Sequence, residues 1–304
     1  MHGPREPPPR VLVLLATYNG ASFVADQIRS IAAQRDVSVR LLASDDGSSD
    51  GTVDLVHRIA SESQLSAEFL PPHEPSGSST NNFWLLFHAA DFDGCDYVAL
   101  CDQDDIWLDE KLSCATMVLG DLTDGCYSCN STAFWPDGSE KKIRKNYAQR
   151  RWDYLFESAS HGCTYVLTAS AARKFQAFVR AHQREFEGIE FHDMLIYAWA
   201  RSCNMPWRMD DRYLIRYRQT GRNVIGANQG LRAVRLRIQK LREGWFRAQS
   251  LNLIRVLGMG DIPIAIWLTN YRLSDRIKLA LQARECRRRG RDAFVFLLSC
   301  LAGL

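Results

Sequence analysis

The sequence predicts an α/β fold with a mostly parallel central sheet and a helical C-terminal extension, and three observations carry that prediction. Continuous apolar runs at Val11–Leu15, Val39–Ala43 and Tyr97–Cys101 read as strands buried on both faces. Segments of helical spacing separate them, the alternation that builds a parallel sheet. Charge is segregated: residues 230–304 hold 15 Lys and Arg against 5 Asp and Glu, whereas residues 1–229 hold 23 against 30. A formal net charge of +3 therefore conceals an acidic body, suited to a cation, and a basic tail, suited to a polyanion.

A proline-rich lead, residues 1–10, precedes the first strand. The turn Ala16–Gly20 opens a helix over Ala21–Gln34, in which Phe23, Val24, Ile28 and Ile31 follow helical spacing. The second strand runs into Ser44–Thr52, where Ser49 or Asp50 caps a helix from Val53 to about Glu62. Pro, Ser and Gly make residues 71–80 a loop, and Phe83, Leu86 and Phe87 mark a helix over Asn81–Ala90. Beyond the third strand come a strand at Cys126–Phe134, a turn at Pro136–Gly138, a basic stretch Lys141–Arg151 and a strand at Thr164–Thr168. Helices follow from Ala169 and over Phe191–Arg201, the latter with Asp193 near the positive end of its dipole. Leu231, Val234, Ile238, Leu241 and Trp245 form the apolar face of one amphipathic helix, and a second helical segment runs from Ile264 through Trp267, Leu268 and Tyr271 to Leu281.

Composition, at 46% hydrophobic and 24% charged residues, excludes a disordered, collagen-like or disulfide-scaffold chain. Nine cysteines without framework spacing read as a reduced, cytoplasmic chain, and Cys126-x-x-Cys129 lacks the second ligand pair of a zinc site. The start MHGPREPPPR has no apolar signal region. No stretch reaches the roughly 18–20 apolar residues of a spanning helix, so neither secretion by a signal peptide nor membrane crossing is expected.

The chemistry concentrates at strand ends. Asp102, Asp104 and Asp105 follow the third strand directly, and carboxylates this close repel unless a cation sits among them. Oxygen ligands with open coordination positions suit Mg²⁺ or Mn²⁺ held partly by a substrate diphosphate. Asp45 and Asp46 end the second strand, where a carboxylate accepts hydrogen bonds from a ribose or a base. Neither GxGxxG nor a P-loop is present, which disfavours a nicotinamide cofactor and the common NTPase cradle. Ligands of open α/β sheets lie beyond the carboxyl ends of the strands, so loops 16–20, 44–52 and 102–105 are expected to converge on one crevice.

Ala16-Thr-Tyr-Asn-Gly20, Ser44-Asp-Asp-Gly-Ser-Ser-Asp-Gly-Thr52 and Cys101-Asp-Gln-Asp-Asp-Ile-Trp107, in this order, resemble the family 2 glycosyltransferases of GT-A fold, within them the rhamnosyltransferase-like group. His161-Gly-Cys-Thr164, Phe191-His-Asp193 and Tyr217–Gly226 extend the likeness over roughly residues 10–228. The resemblance implies a domain over 11–228, with a nucleotide-binding half (11–120) and an acceptor half (121–228), and a basic helical region over 229–304. It implies an inverting enzyme with a nucleotide-sugar donor, dTDP-L-rhamnose, and UDP-galactose or UDP-glucose as alternatives. The acceptor implied is a cell-surface glycan or its lipid-linked precursor. Thr17, Tyr18, Asn19, Asp46, Asp102 and Asp104 are implied at the donor, Asp105 with Asp104, and Asp102 as a further candidate, at the metal, and Asp193 as the catalytic base. Trp107, His161, Gly162 and His192 are implied on the acceptor side.

Glu187 and Glu190 are rival bases by position. Related chains read Tyr-Arg-Gln-His-Gly where this one has Thr220, so the third metal ligand is open and Arg216, Arg218 or Arg222 is a candidate for neutralising the diphosphate. The tail has two readings: arginines 284–291 at an anionic membrane with Phe294, Phe296 and Leu297 inserted, or a helical cap with a solvated basic face. No nucleic-acid motif is present. A nucleotidyl- or phosphotransferase using the same acidic cluster, and a silent scaffold, are the rival classes.

Overall fold

The structure, a computed structural model, describes residues 7–220, 235 and 239–304. The chain forms two compact units: Met1–Lys145 with Ser160–Ala181 and Met205–Thr220, and Asn146–Ala159 with His182–Asn204 and Gly221–Leu304. The chain passes repeatedly from one to the other, so the expected division at residues 228 and 229 differs from the observed grouping. Segments 146–159 and 182–204 belong with the C-terminal helices.

The first unit is built on one sheet of β1 (Arg10–Thr17), β2 (Ser38–Asp45), β3 (Ser66–Phe69), β4 (Tyr97–Asp102), β5 (Ile106–Trp107), β6 (Cys126–Phe134), β7 (Glu140–Ile143), β8 (Val166–Thr168) and β9 (Trp207–Arg218). Their order is β3-β2-β1-β4-β8-β6-β9-β5, with β7 on β6. The expected α/β architecture is present. Its sheet is parallel from β3 to β4 and mixed beyond, because β8 runs antiparallel to both β4 and β6.

Helices α1 (Val24–Ala32), α2 (Thr52–Glu62), α3 (Ser79–Ala89), α4 (Lys111–Leu119) and α5 (Ala169–His182) cover the sheet. Val11, Val13 and Leu15 join Val24, Ile28, Ile31, Val56 and Ile59 in one core cluster. Leu12 and Leu14 alternate with that set and are buried too, and α3 packs on β1 and β2. That two-sided burial is why β1 is an unbroken apolar run. Ser78 caps α3 by accepting from Asn81 N at 3.1 Å, and α2 starts from Gly51 at φ 82°, a left-handed conformation that glycine adopts without strain.

The second unit holds α6 (His192–Ser202), α7 (Trp245–Val256), α8 (Pro263–Asn270), α9 (Leu273–Leu281), α10 (Ala283–Cys286) and α11 (Gly290–Ala302). Of the helix expected to end at Trp245, Leu231, Val234 and Ile238 lie outside the described residues. Residues 235 and 239–242, Leu241 among them, are helical, and Gly244 at φ 69° separates that run from α7, which begins at Trp245. The segment expected to be continuous from Ile264 to Leu281 is split into α8 and α9 by Tyr271 at φ 51°. No helix among the described residues is long and apolar enough to cross a membrane.

A buried ion cluster organises this unit. Asp153, fully buried, accepts from Tyr197 Oη at 2.8 Å and Arg201 Nη1 at 2.9 Å, and lies 3.4 Å from Arg288 Nε. Arg288 also reaches Glu157 at 3.3 Å and donates to the carbonyls of Ser158 and Ala159. Burial pushes the Asp153 carboxyl up, against the pull of Arg201 and Arg288. Removing one member of such a cluster leaves buried charge on the others less fully compensated. Asp153→Ala should therefore cost about 3–5 kcal/mol of stability, read by chemical denaturation.

Candidate functional site

Strand register creates the site. In the parallel ladders Thr17 lies opposite Asp45, and Ala16 opposite both Ser44 and Asp102, so the carboxyl ends of β2, β1 and β4 stand side by side. The three polar loops are brought together as the sequence implied.

The first two loops are laced by hydrogen bonds. Asp45 accepts from Thr17 Oγ1 at 2.7 Å, Ser48 N at 2.7 Å and Ser48 Oγ at 2.6 Å. Asn19 donates its N–H to Ser48 Oγ at 2.8 Å and accepts from Ser49 N at 3.0 Å through its side chain. Asp46, 6% exposed, accepts from the backbone N–H groups of Ser76 and Gly77, and so ties the 71–80 loop to the end of β2. Tyr18 is different: the residue is 56% exposed, while its backbone pairs twice with Gln103, whose Oε1 accepts at 2.8 Å and whose Nε2 donates at 2.9 Å. Gly20 makes room for that amide, since a Cβ there would lie 2.2 Å from Gln103 Oε1.

The acidic loop sorts its three carboxylates. Ligand atoms of Asp102, Asp105 and Cys163 lie within 4.8 Å of one another. Asp105 is fully buried, its Oδ1 accepts from Arg218 N at 3.1 Å, and its Oδ2 has no hydrogen-bond partner. Burial, then the charges of Asp104 and Asp102, push its carboxyl well above the usual range. Asp104 stands outside the trio; burial raises its carboxyl as well, and its backbone carbonyl accepts from Arg218 Nε at 2.9 Å. Arg218 continues to Asp26 at 2.9 Å. Arg216 pairs with Glu140 at 2.9 Å, and Arg222 lies outside the described residues.

An orphaned carboxylate oxygen beside a second carboxylate fits a hard divalent cation, which accepts one or two carboxylates and keeps positions for phosphate oxygens. Cys163 fits less well as a ligand. Burial and the flanking Asp105 and Asp102 push its thiol well up, and only a thiolate ligates. Under this loop Lys111 is fully buried, its Nζ 3.3 Å from the Trp107 ring centroid and without a hydrogen bond; burial lowers its pKa to about 8.

The residues implied on the acceptor side separate. Trp107, 1% exposed, belongs to the hydrophobic core beneath Lys111, and this placement corrects the expectation that it meets an acceptor. Gly162 opens a buried 3-10 turn, Gly162–Thr164, which presents Cys163 to Asp105. His161 stacks on Tyr217 with ring centroids 4.3 Å apart and pairs Nδ1 with Ser131 Oγ at 3.1 Å. Burial and the charge of Lys145 lower its pKa.

In the second unit, Asp193 lies in the first turn of α6, partly exposed, and accepts from Met194 N at 2.8 Å. His192 beside it is buried. Glu190 accepts from Trp245 Nε1 at 2.6 Å and Gln249 Nε2 at 3.2 Å, which ties it to α7. Cys163, Gln103 and Lys111 are contributors that sequence reasoning did not place, whereas Arg218 was among the arginines it proposed for the diphosphate. The Gly-Cys turn inside His161–Thr164 was the signal for Cys163.

The crossover sheet with its acidic strand ends is of the GT-A-like class of fold. Residues 12–180 match the family described as Glycosyl transferase family 2, and the chain belongs to that family. It is 31% identical over 282 residues to a dTDP-rhamnosyl transferase, RfbG, of Shigella flexneri, covering 88% of this chain and 98% of the relative. Its fold is similar to S. aureus TarS 1–349 in complex with UDP (TM-score 0.55, 14% identity, 97% and 92% of the two chains) and with UDP-GlcNAc (TM-score 0.54, 12% identity, 97% and 89%).

Burial lowers the His192 pKa to about 3. The folded state then binds fewer protons than the unfolded chain below about pH 6.5, so stability falls with pH by about 1.4 kcal/mol per unit from this proton. Denaturant titrations from pH 7 to 4 should show a shallower acid slope for His192→Gln than for the parent.

Proposed function

We propose that the chain is a metal-dependent, inverting glycosyltransferase that moves L-rhamnose from dTDP-L-rhamnose to a cell-surface glycan or its lipid-linked precursor. The observation that carries this reading is the buried, orphaned Oδ2 of Asp105 facing Asp102 at the end of β4 in a family 2 chain. Asp102 and Asp105 would hold Mg²⁺ or Mn²⁺, with Asp104 beside them. A divalent cation bound there offsets charge developing on the leaving diphosphate. The name of the 31% identical relative supports the rhamnose donor.

Residues 11–120 bind the donor, with Thr17 and Asn19 shaping the first loop, the exposed Tyr18 offering its ring to the base, and Asp46 fixing the 71–80 loop. Residues 121–228 serve the acceptor through His161 and Gly162. Asp193 takes the proton of the acceptor hydroxyl as its oxygen bonds to the anomeric carbon and the bond to the diphosphate oxygen breaks. One such displacement inverts that carbon. Asp193 is favoured as the base by its place in the Phe191-His-Asp193 motif at the start of α6, with Glu190 and Glu187 as the rivals.

Melting curves with nucleotide sugars test the donor, because a ligand of the native state raises apparent stability. With Mg²⁺ or Mn²⁺, dTDP-L-rhamnose should raise the melting temperature more than UDP-glucose or UDP-galactose; equal or absent shifts refute the donor assignment. Asp105→Asn removes a buried charge, so without ligand at pH 7 it should be about 1 kcal/mol more stable than the parent. The sign follows from the raised pKa: ionising Asp105 costs stability as pH rises above its unfolded value. The same variant should lose the metal-dependent donor shift. Asp193→Asn should lower turnover by about 10²–10⁴-fold with donor binding retained. Near-normal turnover would move the base elsewhere.

A further inference from the structure

The C-terminal helices carry apolar side chains that remain exposed among the described residues. On α9, Leu273, Ile277 and Leu281 recur every fourth residue and are 64, 43 and 78% exposed, while Asp275, Leu279 and Ala280 are buried. On α11, Phe294, Leu298 and Leu301 form an equivalent stripe at 60, 48 and 46%. The two helices pack on each other, and Ile266 on the adjoining α8 is exposed as well.

The face is held in shape. Arg276 Nε donates to Cys300 O at 2.8 Å and its Nη2 to Leu301 O, and Tyr271 Oη donates to Leu304 O at 2.9 Å. One of the two sequence readings put Phe296, Leu297 and the arginine run at a membrane, and the other made the segment a helical cap. In the fold, Phe296 packs edge-on against Phe156 at 4.9 Å, Arg287 donates to Phe156 O at 2.8 Å, and Arg288 joins the Asp153 cluster. Those groups are committed inward. Arg272, Lys278, Arg284 and Arg291 are exposed on the same helices and their flanks, and residues 263–304 carry eight Arg and Lys against three Asp and Glu.

We propose that the paired faces of α9 and α11 dock on an anionic bilayer surface, with Leu281, Phe294 and Leu298 entering the acyl boundary and the exposed cations meeting lipid phosphates. Contiguous exposed apolar surface marks an interaction site. The excess of Arg and Lys over Asp and Glu in residues 263–304 selects an anionic lipid surface. Docking is independent of the donor and base assignments, so its failure leaves those standing.

The test is flotation of the full chain with vesicles of phosphatidylcholine alone and of phosphatidylcholine with one third phosphatidylglycerol. The chain should float with the anionic vesicles and be released by high salt. A Leu281→Glu, Phe294→Glu double variant should bind them about tenfold or more weakly, with an unchanged melting temperature because both positions are exposed. An Arg272→Gln, Lys278→Gln, Arg284→Gln variant should lose the preference for anionic over neutral vesicles. Absence of vesicle binding overturns the proposal. So does a double variant that binds vesicles normally but turns a dimer into a monomer in sedimentation, which would assign the face to a second copy of the chain.

Discussion

The site of the first unit turns on one electrostatic constraint, a carboxyl group held out of water just beyond β4 with a second carboxylate beside it. Asp105 is fully buried with one oxygen unpaired, and Asp102 stands within a few ångströms. An isolated buried anion is costly. The chain compensates in part, through the Arg218 backbone N–H on Oδ1 and the thiol of Cys163. The arrangement is kept in place because β1, β2 and β4 are locked in register and the loops beyond them are cross-linked by Asp45, Asp46, Asp50 and Gln103.

Several acidic residues of these loops hold backbone in place. Asp45 serves Thr17 and Ser48, Asp50 serves Ala21 and Thr52, and Asp46 serves the 71–80 loop. A carboxylate saturated by N–H and O–H donors has little attraction left for a cation. The structure thus separates residues that build the crevice from the pair that presents unsatisfied charge, a distinction based on hydrogen bonds and not on residue type. The second unit uses its ions for cohesion. Asp153, Glu157, Arg201 and Arg288 satisfy one another and neighbouring carbonyls, joining residues 153–159, α6 and the C-terminal helices. Part of the basic run is thereby withdrawn from solvent, and the apolar stripes of α9 and α11 become the surface feature of that region.

Much of the fold was legible in the sequence. β1, β2 and β4 announced themselves as apolar runs because both faces of each are covered. β9 was hidden, since its half-buried residues mix Arg and Asp with Leu and Ile. α4 was hidden by a buried lysine where a helix face should be apolar. The break at Tyr271 was not legible either, because Asn270-Tyr271 has neither Gly nor Pro to signal a left-handed residue.

At the site, the sequence alone determined which loops meet, for the carboxyl ends of neighbouring parallel strands must lie together. It also determined that an acidic triplet at such an end needs a counter-charge. Only the tertiary structure decided that Asp102 pairs with Asp105 while Asp104 stands apart, that Cys163 arrives from a distant turn, that Trp107 is core, and that Arg288 is interior. These depend on which atoms are deprived of water. That is settled by packing between segments far apart in the chain, which local residue type does not encode.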